Sequence, residues 1–122
     1  MLPEELDMLP FGTICLDLDG TVRAYNAAEE KLAARSRGNV IGRHFFREVA
    51  PCTRARRFEG AFLSGVERKS LNEVFDFTFR FPTGAREVRI RMIYTPTPRE
   101  CVWVFVTPLT TSARPVESGA AR

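Results

Sequence analysis

The side chains that could do covalent chemistry are few. The 122-residue chain has three cysteines, Cys15, Cys52 and Cys101, and one histidine, His44. Cys52 has the most distinctive setting. It closes the run Val40-Ile41-Gly42-Arg43-His44-Phe45-Phe46-Arg47-Glu48-Val49-Ala50-Pro51-Cys52-Thr53 and is followed by Arg54, Arg56 and Arg57. Pro51 pushes Ala50 out of the helical region and makes a stiff corner. A thiol fixed there beside cationic side chains is favoured as a thiolate, the form that can be acylated. A plain buried cysteine accounts for the same residues, since free cysteine is among the most buried residue types. His44 stands eight positions before Cys52 with no evident third member of a catalytic triad, so the chain is read as a non-enzyme. Three cysteines at unrelated spacings argue against a disulfide framework and against a metal site, and for a reducing compartment.

The elements that must position Cys52 follow from periodicity. Phe11 to Leu18 alternates, with Ile14, Leu16 and Leu18 on one face, as in a half-buried strand. Asp19-Gly20 favours a hairpin, and Val22 to Tyr25 returns. Asn26 is a good helix N-cap, and Glu29 lies at capping-box spacing from it. Strong helix formers follow to Ala34, and Arg35-Ser36-Arg37-Gly38 ends the helix. The Val40 stretch reads as short helical turns, and Arg54 to Val66 as a longer helix with Phe58, Ala61, Phe62, Gly65 and Val66 on its apolar face. The last third has a period of two. Phe75, Phe77, Phe79 and Phe81 line one strand face. Pro82-Thr83-Gly84 turns, and Arg86 to Tyr94 carries Val88, Ile90 and Met92 inward. Cys101 to Leu109 is the final strand, with Trp103. Cys15, Cys101, His44 and Trp103 are assigned to packing.

The order is two strands, several helices, then three strands, which makes an α+β domain with an antiparallel sheet and helices on one face. The expected boundaries are a short N-terminal segment at 1–10, one domain at 11–109 and a flexible tail at 110–122. The formal net charge is +3, and almost all the positive charge is scattered arginine. No basic stripe alternates with aromatics, so nucleic acid is not an expected partner. No run is long enough to span a bilayer. Residues 1–10 carry Glu4, Glu5 and Asp7 without a basic n-region, so no secretory signal and a cytoplasmic location are expected.

The two-strand, helices, three-strand order is the plan of the PAS fold, with a five-stranded sheet. The motifs go further. Tyr25-Asn26-Ala27-Ala28-Glu29, Val40-Ile41-Gly42, Phe45-Phe46, Val49-Ala50-Pro51-Cys52-Thr53, Phe75-Asp76-Phe77-Thr78-Phe79 and Trp103-Val104-Phe105-Val106 together resemble the photoactive yellow protein family over residues 10 to 107. The resemblance implies a blue-light photoreceptor. Its cofactor would be 4-hydroxycinnamic acid (p-coumaric acid), joined as a thioester to Cys52. Tyr25 and Glu29 would hold the phenolate oxygen, and Arg35 would cover the pocket. Phe45 and Phe79 complete the expected chromophore-binding set. Trans–cis isomerisation would be followed by proton transfer from Glu29 and a conformational signal to an unidentified downstream protein, with a homodimer as another possible assembly. The alternative is a chromophore-free PAS domain that serves as an interaction or dimerisation module. The chain also departs from the family. A hydroxyl-bearing threonine is replaced by Ala33, and two pocket tyrosines by Phe77 and Phe81. A loop methionine that eases thermal recovery falls near Thr83, which implies a slower dark return. The N-terminal segment is shorter than the family's helical cap.

Overall fold

The computed structural model describes residues 3–109. The tail expected at 110–122 lies outside the described residues. Five strands, β1 (Gly12–Leu16), β2 (Val22–Tyr25), β3 (Asn72–Phe81), β4 (Gly84–Thr95) and β5 (Cys101–Pro108), form one sheet in the order β2-β1-β5-β4-β3. Every neighbouring pair is antiparallel. Between β2 and β3 run α2 (Ala27–Ala33), four short turns and α3 (Ala61–Arg68), packed on one face of the sheet. This is the α+β PAS fold with a five-stranded antiparallel sheet.

The period-two stretches fold as their patterns dictate. Val88, Ile90 and Met92 are fully buried, while Arg89 and Arg91 point to solvent. The phenylalanine face of β3 packs on Phe58, whose ring lies within 5.3 to 6.5 Å of Phe45, Phe46, Phe75, Phe77 and Phe79. Such edge-on aromatic contacts add to the burial of large apolar surfaces. In the β1–β2 hairpin Gly20 supplies a φ of 95°, and Asp17 accepts hydrogen bonds from the Asp19 and Thr21 N–H groups.

Four local expectations give way to tertiary context. β1 is not half-buried: all five of its residues are buried. It lies between β2 and β5, and on its outer side Cys15 sits opposite Trp103, in a cleft shared with Cys101 and the 97–100 loop. Leu18 falls in the turn rather than on the strand. The helix expected at Arg54–Val66 starts later. The 3-10 turn Pro51–Thr53 consumes the chain through Arg54, Ala55 is extended, and a wide turn at Arg56–Gly60 leads into α3. α2 closes, as expected, before the Arg35–Gly38 run, on Ala34, which takes the left-handed conformation at φ 56°. Finally, the N-terminal segment carries a short helix, α1 (Pro3–Asp7), which the breakers Pro3 and Pro10 had obscured.

Candidate functional site

Asn26 ties together the elements around the site. Its Oδ1 accepts from the Thr13 and Glu29 N–H groups, and its Nδ2 donates to the Leu6 and Phe11 carbonyls. α1, β1 and α2 therefore meet at one side chain. The return half of the capping box does not form, because the Asn26 N–H is taken by the Thr13 carbonyl. This frees the Glu29 side chain, which turns inward between α2 and the sheet.

There it meets a cavity of about 260 Å³. Tyr25 at the end of β2, Glu29 and Ala33 on α2, and Arg35 just beyond it form one side. Phe45, Val49, Ala50 and Pro51 form the second, and Phe79, Arg80, Phe81 and Pro82 from the end of β3 the third. The fold thus brings Tyr25, Glu29, Arg35, Phe45 and Phe79 onto one wall system. Phe77 is elsewhere; it packs edge-on against Phe58. Thr83 is exposed in the turn after Pro82.

Glu29 is 1% exposed, and its Oε1 has no hydrogen-bond partner among the described residues. Burial raises its pKa from 4.5 to about 8, since a dry site disfavours the charged form. Tyr25 is also buried, and its phenol is pushed upward chiefly by desolvation, then by the nearby Glu29. Both groups are therefore neutral donors at neutral pH. Arg35 donates from Nη1 to the Val49 carbonyl at 2.6 Å, which bridges the end of α2 to the turn at Phe45–Val49. The cation thus stands at the cavity wall.

Cys52 is half-buried on the Pro51–Thr53 turn and packs against the core; it follows the lining residue Pro51 in the chain but is not itself among the residues that line the cavity. The turn is locked by Thr53, whose hydroxyl and N–H both donate to the Ala50 carbonyl at 2.6 and 2.9 Å. The stiff corner expected from Pro51 is present. The expected cationic neighbours are not the sulfur's contacts. Arg54 pairs with Glu59 at 3.3 Å, and the Arg57 guanidinium lies 5.4 Å from the Phe75 ring centre. The Cys52 sulfur instead accepts from the Arg80 backbone N–H at 3.5 Å. Sequence reasoning missed Arg80 because its contribution is a backbone group, delivered by strand register rather than by residue type. It also missed Gly12 on β1: a Cβ there would collide with Glu29 Oε1. A glycine inside a strand is the sequence signal for such a close approach.

The chain has known counterparts. A family model described as PAS fold matches residues 6–97. The photoactive yellow protein of Cereibacter sphaeroides is 39% identical over 104 residues, covering 85% of this chain and 83% of that protein. That of Rhodothalassium salexigens is 41% identical over 102 residues, covering 84% and 81%. Among solved structures, the photoactive yellow protein domain of the sensor histidine kinase Ppr from Rhodospirillum centenum superposes with a TM-score of 0.82. It is 42% identical and covers 87% of this chain and 92% of that one.

Proposed function

The chain belongs to the photoactive yellow protein family within the PAS fold, and we propose that it is a blue-light photoreceptor that carries a 4-hydroxycinnamoyl group as a thioester on Cys52. One observation carries this reading: Glu29, whose carboxyl Oε1 is buried without a partner among the described residues, lines one cavity with Tyr25, Arg35 and Phe79, and Cys52 follows the lining residue Pro51 in the chain. An unpaired polar atom in a dry site is costly unless something meets it. A phenol oxygen would do so, and the Tyr25 hydroxyl on the same wall supplies a second donor. The apolar faces of Phe45, Phe79 and Phe81 suit an aromatic ring.

When bound, the hydroxycinnamoyl group supplies the absorption of blue light and the double bond whose trans–cis isomerisation light drives. The chain's own residues do the rest. Cys52 holds the acyl group through Sγ on a corner that Thr53 and Pro51 keep rigid. Tyr25 and Glu29 would donate to the group's phenolate oxygen, and Arg35 would offset negative charge near the cavity wall. Glu29 keeps a proton at its carboxyl because burial raises its pKa to about 8. On giving that proton to the phenolate oxygen of the bound group it would become a carboxylate in a dry site, a cost of roughly several kcal/mol for an unpaired ion. That cost falls on α2, which is latched to α1 through Asp7, accepting from the Ala27 N–H and pairing with Arg37. Loosening of this latch between α1 and α2 is the conformational signal. No helix of the described residues is long and apolar enough to cross a membrane. A cytoplasmic location and an output to a signalling protein belong to the same proposal.

The test is to mix the protein with an activated 4-hydroxycinnamic acid and record spectrum and intact mass. A visible band with a mass adduct, both lost in Cys52→Ala, is the expected outcome. Folded protein that takes up no adduct refutes the reading and favours a chromophore-free interaction module. In the loaded protein Glu29→Gln moves the band to longer wavelength, since a weaker donor leaves more charge on the phenolate. An unshifted band removes Glu29 from the site.

A further inference from the structure

Gly12 is a glycine without a backbone reason to be one. Its φ lies outside the left-handed region, unlike those of Gly20, Gly42 and Gly84. It sits in β1, paired with Val106 of β5. What distinguishes it is its neighbour: a Cβ at this position would overlap Glu29 Oε1, lie 3.1 Å from Glu29 Cδ and 3.3 Å from Val106 Cβ. The carboxyl of Glu29 thus rests in a notch in the sheet that exists only because β1 carries no side chain there.

We infer that Gly12 is a positioning residue for Glu29: the notch it opens in β1 seats the carboxyl against the sheet, beside the cavity and away from water. This rests on the reading of Glu29 as the group that faces the chromophore phenol. The groups around the carboxyl leave Gly12 as the determinant of its place. Asn26 binds the Glu29 N–H and not its carboxyl. Tyr25 and Arg35 share the cavity with it, from the end of β2 and from the residue after Ala34. At the notch β1 contributes Gly12 and β5 contributes Val106, neither of which titrates. Glu30 on the same helix is engaged with Arg37 on the outside. A methyl group at position 12 has to be accommodated by backbone of two paired strands or by the carboxyl, and the carboxyl ends a side chain that can rotate. It would swing out of the notch and lose the packing against the sheet that keeps it dry.

The experiment uses the full chain without added chromophore, so its failure is separate from any failure of adduct formation. The Glu29 carboxyl is followed by carbon-13 NMR or infrared spectroscopy against pH, with Glu29→Gln assigning the signal. The native protein should titrate with a midpoint about 8. In Gly12→Ala the midpoint should fall by at least one unit, a tenfold or greater loss of proton affinity, with a carbonyl band shifted toward that of a hydrated acid. An unchanged midpoint and band in folded Gly12→Ala overturns the inference. If Gly12→Ala does not fold, Gly12→Ala/Glu29→Ala decides. Recovery of the fold in the double variant identifies Glu29 as the group in conflict. A double variant as damaged as the single assigns the glycine to Val106 and overturns the inference.

Discussion

Glu29→Gln isolates the energetic consequence of the buried carboxyl. In the folded chain this group has a pKa of about 8, against 4.5 for an ordinary glutamate. The folded value is raised, so between these two values the native state holds a proton that the unfolded state has released. Its contribution is fully present below about pH 4.5, declines through the window and is gone above about pH 8. The slope within the window is about 1.4 kcal/mol per pH unit, and the whole span amounts to something on the order of 5 kcal/mol. That is comparable with the total stability of many small domains. Urea unfolding of the chromophore-free protein at intervals from pH 5 to pH 9 measures it. The native chain should lose stability steeply with rising pH, and Glu29→Gln should lose much less, since an amide has no proton to release. His44 and the exposed carboxylates are present in both proteins, so the difference between the two curves belongs to Glu29. Parallel curves would show that Glu29 titrates normally in the folded chain, and the dry, unpartnered carboxyl would then be wrong.

Four further outcomes follow from the packing. Phe58→Ala removes the ring on which five other phenylalanines converge and should lower unfolding free energy by about 4 kcal/mol, read as a shift of the urea midpoint at constant slope. Asn26→Ala strips four hydrogen bonds, including a helix cap and the partner of the buried Thr13 N–H; a loss of about 3 kcal/mol is expected, with faster amide exchange at Thr13 and Glu29. Ala34→Gly relieves an exposed left-handed residue at the end of α2 and should raise stability by about 1 kcal/mol in thermal or urea melts. In chromophore-loaded protein, Thr83→Met should accelerate the dark return measured by flash spectroscopy, since the resemblance puts the family's recovery-easing methionine near Thr83.

Local chemistry made much of this protein legible from the amino-acid order. The alternation of Phe75, Phe77, Phe79 and Phe81, and of Val88, Ile90 and Met92, has a period of two that only a strand can bury on one side. Asp19-Gly20 encodes a turn, Asn26 caps α2, and Pro51 makes the corner before Cys52; each acts within a few residues of itself. The motifs around Tyr25, Glu29 and Cys52 resembled one family closely enough to suggest which side chains share a site. What the order could not decide is whatever depends on strands distant along the chain. Cys15 is buried because Trp103 and the 97–100 loop arrive from the other end of the molecule. The Cys52 sulfur meets a backbone N–H of β3, not the arginines beside it in sequence, because those turn to Glu59 and Phe75. Above all, Glu29 at capping-box spacing had every local reason to fold back on Asn26. It faces the cavity instead because β1 takes the Asn26 N–H through the Thr13 carbonyl, and Gly12 on the same strand leaves room for the carboxyl. A surface cap became a buried acid through the placement of one neighbouring strand.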